Sequence, residues 1–288
     1  MIKQIQLIKT YCAICQYYDS TICKEAQRLS NNFSPKFTDA ECMTIYIFGI
    51  QEGYRTVKAM YCYIKSYWHD WFPDLPSYVA FNTRICNLAQ AFASLAGILM
   101  LENDLSASDM NFLMDSMPVI VANSKRSNSA KAASEMCDKG YCSSKNMYYY
   151  GVKIHLLAQR QPGTLPIPHD IVVSRASEND LAVAKEYLEP WHNITVFADK
   201  AYRDSSWNLE LAERGVEVIT PVKLKKGQKT LSYFDKLFSS AVSSARQTIE
   251  VFFSWLADKT GINSASKVRS SNGLIAFIFA RLVAALYS

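Results

Sequence analysis

The periodicity of the apolar residues changes near Leu105, and this change constrains the fold more than any other feature of the sequence. Before it, apolar residues recur at the 3.6-residue spacing of helices. After it, short apolar or β-branched runs alternate with helical stretches. The strand-like runs cover 111–122, 148–158, 168–174, 194–198 and 216–222. The order of these segments predicts a helical domain over residues 1–105 and an α/β domain over residues 106–288, in which helices flank a mixed sheet.

Capping motifs predict where several helices begin. The Thr38–Glu41 segment has the pattern of a capping box, and the apolar helix that follows is predicted to be buried. Ser77 is predicted to cap a single helix over residues 78–101. Ser177 with Asp180 is predicted to form a second capping box.

The helical half allows two interpretations. Helices on either side of a short proline-containing link fit a helix-turn-helix, in which Tyr78, Asn82 and Arg84 lie near the start of the helix that reads DNA. The alternative is a helical bundle that makes no contact with a DNA groove. The sequence alone does not decide between them.

The positive charge is unevenly distributed along the chain. Apolar residues make up 49% of the 288 residues, which is ordinary for a globular protein and excludes a disordered or collagen-like chain. The net charge of +5 arises after residue 105, because nine basic and nine acidic residues precede that point and 22 basic and 17 acidic residues follow it. Basic residues concentrate in 121–160 and in 223–229. These two segments indicate either a polyanionic partner or ordinary solvated loops.

The sequence favours a cytoplasmic protein with reduced thiols. Residues 1–12 lack the apolar core of a signal peptide, and the apolar stretches 88–101 and 273–288 are too short or carry a charge, so no membrane span is expected. The eight cysteines are then expected to be free rather than paired in disulfides.

Three acidic residues lie in apolar surroundings, where an unpaired carboxylate is costly. Asp115 lies in the first strand-like run, Asp199 at the end of a later one, and Glu250 on the closing helix. Taken singly, each fits a separate ion pair or a strand-end carboxylate; together they indicate a common site. Converging carboxylates repel one another unless a divalent cation lies between them. Three carboxylates that hold two Mg²⁺ ions suit phosphoryl transfer, in which one ion activates the attacking oxygen and the other stabilises the leaving oxygen.

On these residues the chain resembles a DDE-type transposase of a bacterial insertion sequence, and most closely the insertion-sequence family nine-eighty-two. The resemblance extends over nearly the whole chain. It rests on DSMPVIVA, KGYCSSKNMYYYGVKIHLL, VFADKAYRD and ARQTIEVFFSWL, and on FTDAE and LPSYVAFNTR in the helical half. It implies a ribonuclease H-like catalytic domain, with a mixed five-stranded sheet flanked by helices, that follows an all-helical N-terminal domain.

Carried over residue by residue, the resemblance implies a catalytic triad of Asp115, Asp199 and Glu250 that holds Mg²⁺, with Mn²⁺ as the alternative ion. Arg246 lies one helical turn before Glu250 and would contact DNA phosphate. Ser243 stands where related transposases often have a tyrosine, which departs from the family pattern.

Other basic residues are candidates for phosphate contacts, which set affinity and salt dependence rather than sequence choice. Lys153 shares a strand face with Gly151 and His155, so it can point toward the scissile phosphate. A close-packing role is the alternative for Gly151, and a satisfied core position is favoured for His155. Lys200, which follows Asp199, fits a DNA contact or a solvated surface equally well.

The two basic segments supply the remaining candidates, which are Lys125, Arg126, Lys223 and Lys225. Lys125 and Arg126 lie in the loop after the first catalytic strand, and this loop is expected to border the active site.

The resemblance implies a cytoplasmic, nucleoid-associated bacterial DNA transposase. It would bind double-stranded DNA, namely the terminal inverted repeats of its element and the target, and would act on DNA as a homo-oligomer. Phosphodiester hydrolysis would free a 3′-hydroxyl, which would then attack target DNA. Two other functions stay open: a metal-dependent nuclease of the same fold that cuts without joining, and a non-catalytic DNA-binding protein descended from a transposase.

Overall fold

The computed structural model describes residues 2–26, 35–102, 110–143, 145–224 and 227–287. Its helices are α1 (Ile2–Ser20), α2 (Asp39–Gln51), α3 (Val57–Tyr67), α4 (Tyr78–Asn87), α5 (Ala89–Glu102), α6 (Asp180–Tyr187), α7 (Ser205–Ala212), α8 (Tyr233–Thr260) and α9 (Ser271–Leu286). Its strands are β1 (Asn111–Asn123), β2 (Asp138–Cys142), β3 (Met147–Gln159), β4 (Ile167–Arg175), β5 (Thr195–Phe197) and β6 (Glu217–Ile219). Short 3₁₀ turns cover Ile22–Lys24, His69–Trp71 and Lys200–Tyr202.

The chain divides into two compact units. The helical unit contains Met1–Leu99, Lys131–Glu135 and Leu256–Ser288. The sheet unit contains Met100–Ala130 and Met136–Trp255. Residues 256–288 therefore group with the helices, although the predicted boundary at residue 105 assigns them to the second domain. The functional division into two domains stays a prediction.

Helix α2 lies at the centre of the helical unit. It begins at the predicted capping box, in which the Thr38 hydroxyl accepts a hydrogen bond from the Glu41 N–H at 3.2 Å and the Glu41 carboxylate accepts one from the Thr38 N–H at 2.6 Å. Residues 42–50 are all buried, and the helix packs against α1, α3, α4 and α9. The prediction of a buried helix is confirmed, because a helix that is apolar on most sides needs neighbours on most sides.

The prediction of one helix over residues 78–101 is wrong. Ser77 caps α4 as expected, since its hydroxyl accepts a hydrogen bond from the Ala80 N–H at 3.3 Å. The chain then bends by 54° between α4 and α5. The bend lies at Leu88, whose ψ of 15° departs from helical values and whose side chain is fully buried. No proline or glycine marks this position, so the sequence pattern gives no sign of it.

No single helix within the described ranges combines the length and apolarity needed to cross a membrane, although α4 and α5 pass that test when the bent pair is counted as one.

Arg84, one of three residues predicted to lie near a DNA-reading surface, ties the helical unit together. Its guanidinium forms a two-point ion pair with the Asp39 carboxylate and donates to the Ala26 carbonyl at 2.8 Å. Only 14% of its side chain is exposed. The guanidinium is therefore occupied, and the helix-turn-helix interpretation keeps only Tyr78 and Asn82 of its three candidates.

Helix α9 joins the helical unit through a buried arginine. The Arg281 guanidinium donates to the Tyr46 hydroxyl at 3.1 Å, to the Arg55 carbonyl at 3.0 Å and to the Thr260 carbonyl at 3.1 Å. Hydrogen bonds from several sides are what a fully buried guanidinium requires. They connect α9 to α2 and explain why the C-terminal residues belong to this unit.

The sheet unit contains a six-stranded mixed sheet in the order β2–β3–β1–β5–β6, with β4 also paired to β3. Strand β1 is antiparallel to β3 and parallel to β5, and β5 is parallel to β6. Strands β2 and β4 share one edge of β3, where β2 pairs with residues 147–151 and β4 with residues 152–159. The predicted α/β fold, a mixed sheet flanked by helices after a helical region, is confirmed. The additional strand β2 is short and polar, so it shows no strand pattern in the sequence.

The hydrophobic core of the sheet unit lies against α6 and α7. Its members come from β1, β5, β6 and α7 among other elements, and include Phe112, Val196, Val218, Trp207 and Leu211. This core holds β1 beside β5, the two elements that position the predicted aspartates.

Close approach of β1 and β3 explains Gly151. A Cβ atom there would lie 2.1 Å from the Val119 carbonyl oxygen, so the close-packing role is confirmed. His155 follows on the same face and is buried, with Nε2 2.8 Å from the Ser174 hydroxyl. Burial lowers the pKa of His155 to about 4, so the ring is neutral at pH 7. The favoured interpretation of His155 as a satisfied core residue is confirmed.

Candidate active site

The strand register brings Asp115 and Asp199 together. Strands β1 and β5 are parallel, and Leu113 pairs with Phe197. Asp115 follows Leu113 by two residues and still belongs to β1. Asp199 follows Phe197 by two residues and comes just after β5 ends. Since side chains two residues apart on a strand share a face, both carboxylates leave the sheet on the same side.

Helix α8 supplies the other two charged residues of the site. Arg246 and Glu250 are four residues apart, so they lie on one face of the helix. Arg246 is buried, with 8% of its side chain exposed. The helix thus presents a buried cation and an adjacent carboxylate to the strand ends.

One guanidinium contacts all three carboxylates. Arg246 Nη2 lies 3.6 Å from Asp115 Oδ2 and 3.7 Å from Glu250 Oε1, and Nη1 lies 3.4 Å from Asp199 Oδ1. The structure therefore brings together the four residues that the sequence placed on separate elements. Their catalytic role stays a prediction.

The three carboxylates differ in exposure. The exposed fraction of the side chain rises from 22% for Asp115 to 49% for Asp199 and 60% for Glu250. Burial raises the pKa of Asp115 to about 6, against the opposing influence of Arg246 and of the Ser116 N–H, which donates to Asp115 Oδ1 at 2.8 Å. Glu250 and Asp199 raise the pKa further, because each adds negative charge nearby. One arginine neutralises only one of three ionised carboxylates, so a bound cation would reduce the remaining negative charge of the site.

The donor set suits a hard divalent cation, whereas the present arrangement is that of an ion-pair cluster. Carboxylate oxygens are the ligands that Mg²⁺ and Mn²⁺ prefer. Within the described part of the chain, no three His, Cys, Asp or Glu side chains are arranged to hold a metal ion. In this cluster the Arg246 guanidinium lies among the oxygens that would be the ligands. The three carboxylates are therefore suitable ligands for such a cation. In this structure the Arg246 guanidinium supplies the positive charge among them.

Sequence reasoning missed a second group of polar side chains next to the cluster. The Ser116 hydroxyl donates to Asp180 Oδ2 at 3.2 Å, and the Lys153 ammonium pairs with the same carboxylate. The Tyr202 hydroxyl is buried nearby, and burial followed by the charges of Asp180 and Asp115 raises its pKa well above the usual value. The sequence predicted Lys153 only as a phosphate contact and Asp180 only as part of a helix cap, so it did not predict that the two pair.

The capping box predicted for Ser177 and Asp180 is wrong. Asn179 is the N-cap of α6, and its Oδ1 accepts a hydrogen bond from the Leu181 N–H at 2.9 Å. The Ser177 hydroxyl donates instead to Asp138. Because Asn179 satisfies the helix terminus, the Asp180 carboxylate is available to Lys153.

The candidate DNA-contact residues differ in exposure and in their partners. The Lys153 ammonium donates hydrogen bonds to the Asp180 carboxylate and to the Glu178 carbonyl. Lys200 directly follows Asp199 in the sequence, and its side chain is exposed. Lys223 is exposed beyond β6, and Lys225 lies outside the described residues.

Lys125 and Arg126 do not border the cluster. Both are exposed on the turn that follows β1. Strand β1 carries the chain from Asp115 to Asn123, about 26 Å at 3.3 Å per residue. The prediction that their loop borders the active site is therefore wrong, because a long strand separates the two.

One of the comparisons with known proteins gives a match. The model of the family described as "Transposase DDE domain" matches residues 110–287, a range that includes all three carboxylates and Arg246. Neither the curated proteins nor the solved structures gave a match. Since the matched range is more than half of the 288 residues, the chain belongs to the family of transposase DDE domains.

Proposed function

We propose that the protein is a DNA transposase of the insertion-sequence family nine-eighty-two. It binds the ends of its element, cuts a phosphodiester there and joins the freed end to target DNA. The observation that carries the proposal is the convergence of Asp115, Asp199 and Glu250 on the Arg246 guanidinium, within a range that matches a transposase domain. Metal-assisted cutting of a polyanion needs such a group of carboxylates at an accessible surface.

Asp115, Asp199 and Glu250 are the residues that would hold Mg²⁺ or Mn²⁺. When bound, the ion supplies Lewis acidity at the scissile phosphate and lowers the pKa of the attacking group. Asp115 contributes from the sheet, where the Ser116 N–H fixes one of its oxygens. Asp199 and Glu250 are half-exposed or more, so they leave the site open to a DNA strand.

Arg246 is placed to change partners when DNA binds. Its contacts with the three carboxylates, at 3.4–3.7 Å, are longer than the 2.7–2.9 Å of a strong charge-assisted hydrogen bond. A guanidinium held this loosely can turn to a phosphate oxygen without leaving the cluster. In that position Arg246 would orient the scissile phosphate. The resemblance implies the coarser role, a contact with DNA phosphate.

The proposed reaction has two phosphoryl-transfer steps. In the first, water attacks the phosphorus at the element end and the P–O3′ bond breaks, which leaves a 3′-hydroxyl on the element and a 5′-phosphate on the flanking DNA. In the second, that hydroxyl attacks a phosphodiester of the target, so that one P–O bond forms as another breaks. Both steps place negative charge beside Arg246 and Lys200.

The partner in this proposal is double-stranded DNA, both as terminal inverted repeats and as target, and the active form on DNA is a homo-oligomer in the bacterial cytoplasm. Lys200 and Lys223 are exposed on the sheet unit, where they can contact phosphates. Such contacts make binding depend steeply on salt concentration.

The test uses labelled element ends, a target plasmid and Mg²⁺. Wild-type protein is expected to give both cut and joined products. Asp115→Asn, Asp199→Asn and Glu250→Gln should each lower the rate of both steps by about 10³-fold or more, because each removes a charge that acts in the transition state. Glu210→Gln, which neutralises an exposed carboxylate on α7 that belongs to none of the described contacts of the cluster, should leave both rates unchanged.

Two outcomes would replace the proposal with the other candidate functions. Cut products without joined products in the wild-type reaction would indicate a nuclease of the same fold. DNA binding without cutting, unaffected by all three substitutions, would indicate a non-catalytic DNA-binding protein.

A further inference from the structure

A groove of about 670 Å³ leads away from the candidate active site along the sheet unit. At one end it is bordered by Asp180 and Ala201, which lie beside the carboxylate cluster: Asp180 accepts from Ser116, and Ala201 is two residues from Asp199. At the other end it is bordered by Tyr141 and Tyr148. The groove therefore connects the proposed cutting site with a pair of aromatic side chains that the reaction itself does not use.

The walls of the groove are fixed by tight contacts. Segment 176–180 crosses β2 so closely that a Cβ atom at Gly140 would lie 2.3 Å from the Ala176 carbonyl oxygen. The Ser177 N–H donates to Asp138 Oδ1 at 2.8 Å, which ties the same segment to the start of β2. A groove held in this way exists before any ligand arrives, so little ordering is needed on binding.

The far end of the groove exposes two tyrosines whose rings contact each other at an angle of 56°. Tyr141 and Tyr148 pair across β2 and β3, with ring centroids 5.0 Å apart, and 51% and 54% of these residues is exposed. The Tyr141 hydroxyl donates to Asn146 Oδ1 at 2.6 Å, which steadies one ring. Aromatic rings are usually buried, so two exposed and mutually supported rings indicate a surface for a flat, partly apolar ligand.

One lysine lies over a tyrosine ring, and two further basic residues lie on a neighbouring turn. The Lys139 ammonium lies 4.6 Å from the centroid of the Tyr148 ring and donates to Asn128 Oδ1 at 2.7 Å. Asn128 belongs to the same turn as Lys125 and Arg126, both exposed. Lys125 and Arg126 therefore lie on the turn that Asn128 links to Lys139, the lysine that covers the Tyr148 ring.

Flat rings beside cations are the chemistry of single-stranded nucleic acid binding. Successive bases stack on aromatic side chains while lysine and arginine contact the phosphates. Inside a duplex, neighbouring base pairs cover both faces of each base, whereas successive bases of an unpaired strand can each offer a face to such rings. We propose that this groove binds an unpaired stretch of the DNA strand next to the cutting site, with a base stacked on Tyr148 and phosphates on Lys139, Lys125 and Arg126. The inference rests on the proposed function, because it gives the same DNA substrate a path beyond the carboxylate cluster.

The test compares two DNAs that share one duplex, of which one is blunt and the other ends in an unpaired tail of about six nucleotides. Affinities are measured by fluorescence anisotropy with the full chain and without divalent cations, so that no cutting occurs. Wild-type protein is expected to bind the tailed DNA about tenfold more tightly. Tyr148→Ala should abolish that preference and leave the affinity for blunt duplex unchanged.

Two control variants separate stacking from general effects. Tyr148→Phe keeps the ring and should keep the preference. Tyr233→Ala removes another tyrosine of the sheet unit, 77% exposed and also packed on an aromatic neighbour, and should behave as wild type. Equal binding of the two DNAs by wild-type protein, or an equal loss for both DNAs in Tyr148→Ala, would overturn the proposal.

Photo-crosslinking gives a reading that does not depend on the folding of a variant. A tail that carries a photoreactive thymine should crosslink wild-type protein at residues 139–148, and crosslinks confined to other segments would contradict the proposal. Failure of this inference and failure of the proposed function are distinguishable. If tail preference persists in a protein that never cuts DNA, only the function fails; if DNA is cut and joined without tail preference, only the groove fails.

Discussion

The three carboxylates of the cluster differ in solvent exposure, and this difference affects the pKa of Asp115 and the access of a ligand to each carboxylate. Asp115 follows the apolar residues Phe112–Met114 in β1, and burial is the largest cause of its raised pKa. Asp199 and Glu250 stand at the open side of the cluster. Arg246 joins the two environments, because its guanidinium reaches the buried carboxylate and both exposed ones.

The raised pKa of Asp115 predicts a pH-dependent stability for the metal-free protein. Between the usual value of 3.8 and the folded value of about 6, the folded state binds more protons than the unfolded state, so the free energy of unfolding falls as pH rises through this range. At pH values above this range Asp115 is ionised, which lowers the free energy of unfolding by about 1–3 kcal/mol. Asp115→Asn removes that cost, so the variant should be more stable than wild type at about pH 7.5, and the gain should shrink toward zero near pH 4.

Urea unfolding at the two pH values measures this effect. Glu210→Gln serves as the control, because it changes an exposed carboxylate without a buried environment. A variant Asp115→Asn that is less stable than wild type at the higher pH would show that its contacts with Arg246 and Ser116 outweigh burial, contrary to the expectation.

Secondary-structure elements position the site through register and close packing. The pairing of β1 with β5 sets Asp115 beside Asp199, and the pairing of β1 with β3 holds β1 in place. The second pairing depends on Gly151, whose missing side chain lets the Val119 carbonyl approach. The position of a catalytic side chain therefore depends on a glycine in the neighbouring strand.

Gly151→Ala is expected to destabilise the sheet unit by about 3 kcal/mol, since the new methyl group would overlap a backbone oxygen and force β1 and β3 apart. Amide hydrogen exchange in β1 and β3 measures the loss. Gly97→Ala is the matched control: a Cβ atom there meets nothing within 4 Å, and alanine is about 1 kcal/mol better than glycine in a helix. Unchanged protection in β1 and β3 of Gly151→Ala would contradict the packing argument.

Residues with a strong local signal were predictable, and residues defined by distant partners were not. A carboxylate in an apolar strand is visible in the sequence, which is how Asp115 and Asp199 were found. The capping box at Thr38–Glu41 is equally local. The role of Asp180 depends on Lys153 and Ser116, both far away in the chain, so no local pattern reveals it.

Helices and strands were likewise predictable where the local sequence marks them, and not where distant partners define them. The short polar strand β2 forms because β3 offers an open edge, and the bend at Leu88 has no glycine or proline to mark it. Lys125 and Arg126 follow β1 in the chain, and sequence order suggested that they lie near the carboxylates. The length of an extended strand places them at its far end instead.

At the scale of the whole molecule, the family match and the compact units divide the chain differently. The matched range starts at residue 110 and runs to residue 287, whereas residues 256–288 pack in the helical unit. The carboxylate cluster, the groove and the basic turn all fall within the sheet unit. The proposed chemistry thus needs the folded sheet unit, and the family range extends beyond it.

The structure shows where the basic residues that follow residue 105 lie. The net value of +5 is modest, partly because the same part of the chain carries the three carboxylates. Exposed cations lie at Lys200 next to the cluster and at Lys125, Arg126 and Lys139 near the tyrosines. Lys139 borders the groove, and Lys200 directly precedes Ala201, which borders it too. This placement, rather than the number of cations, favours a polyanionic partner.

The most direct test of the account exchanges a proposed metal ligand for a softer one. Thiolate sulfur is a poor ligand for Mg²⁺ and a better one for Mn²⁺, so Asp199→Cys should lose DNA cutting in Mg²⁺ and recover part of it in Mn²⁺. Glu210→Cys should cut as wild type does in both ions. The measurement is the single-turnover rate of cutting a labelled element end in each ion. Wild-type activity of Asp199→Cys in Mg²⁺ would contradict the claim that this carboxylate belongs to a metal-dependent DNA-cutting site.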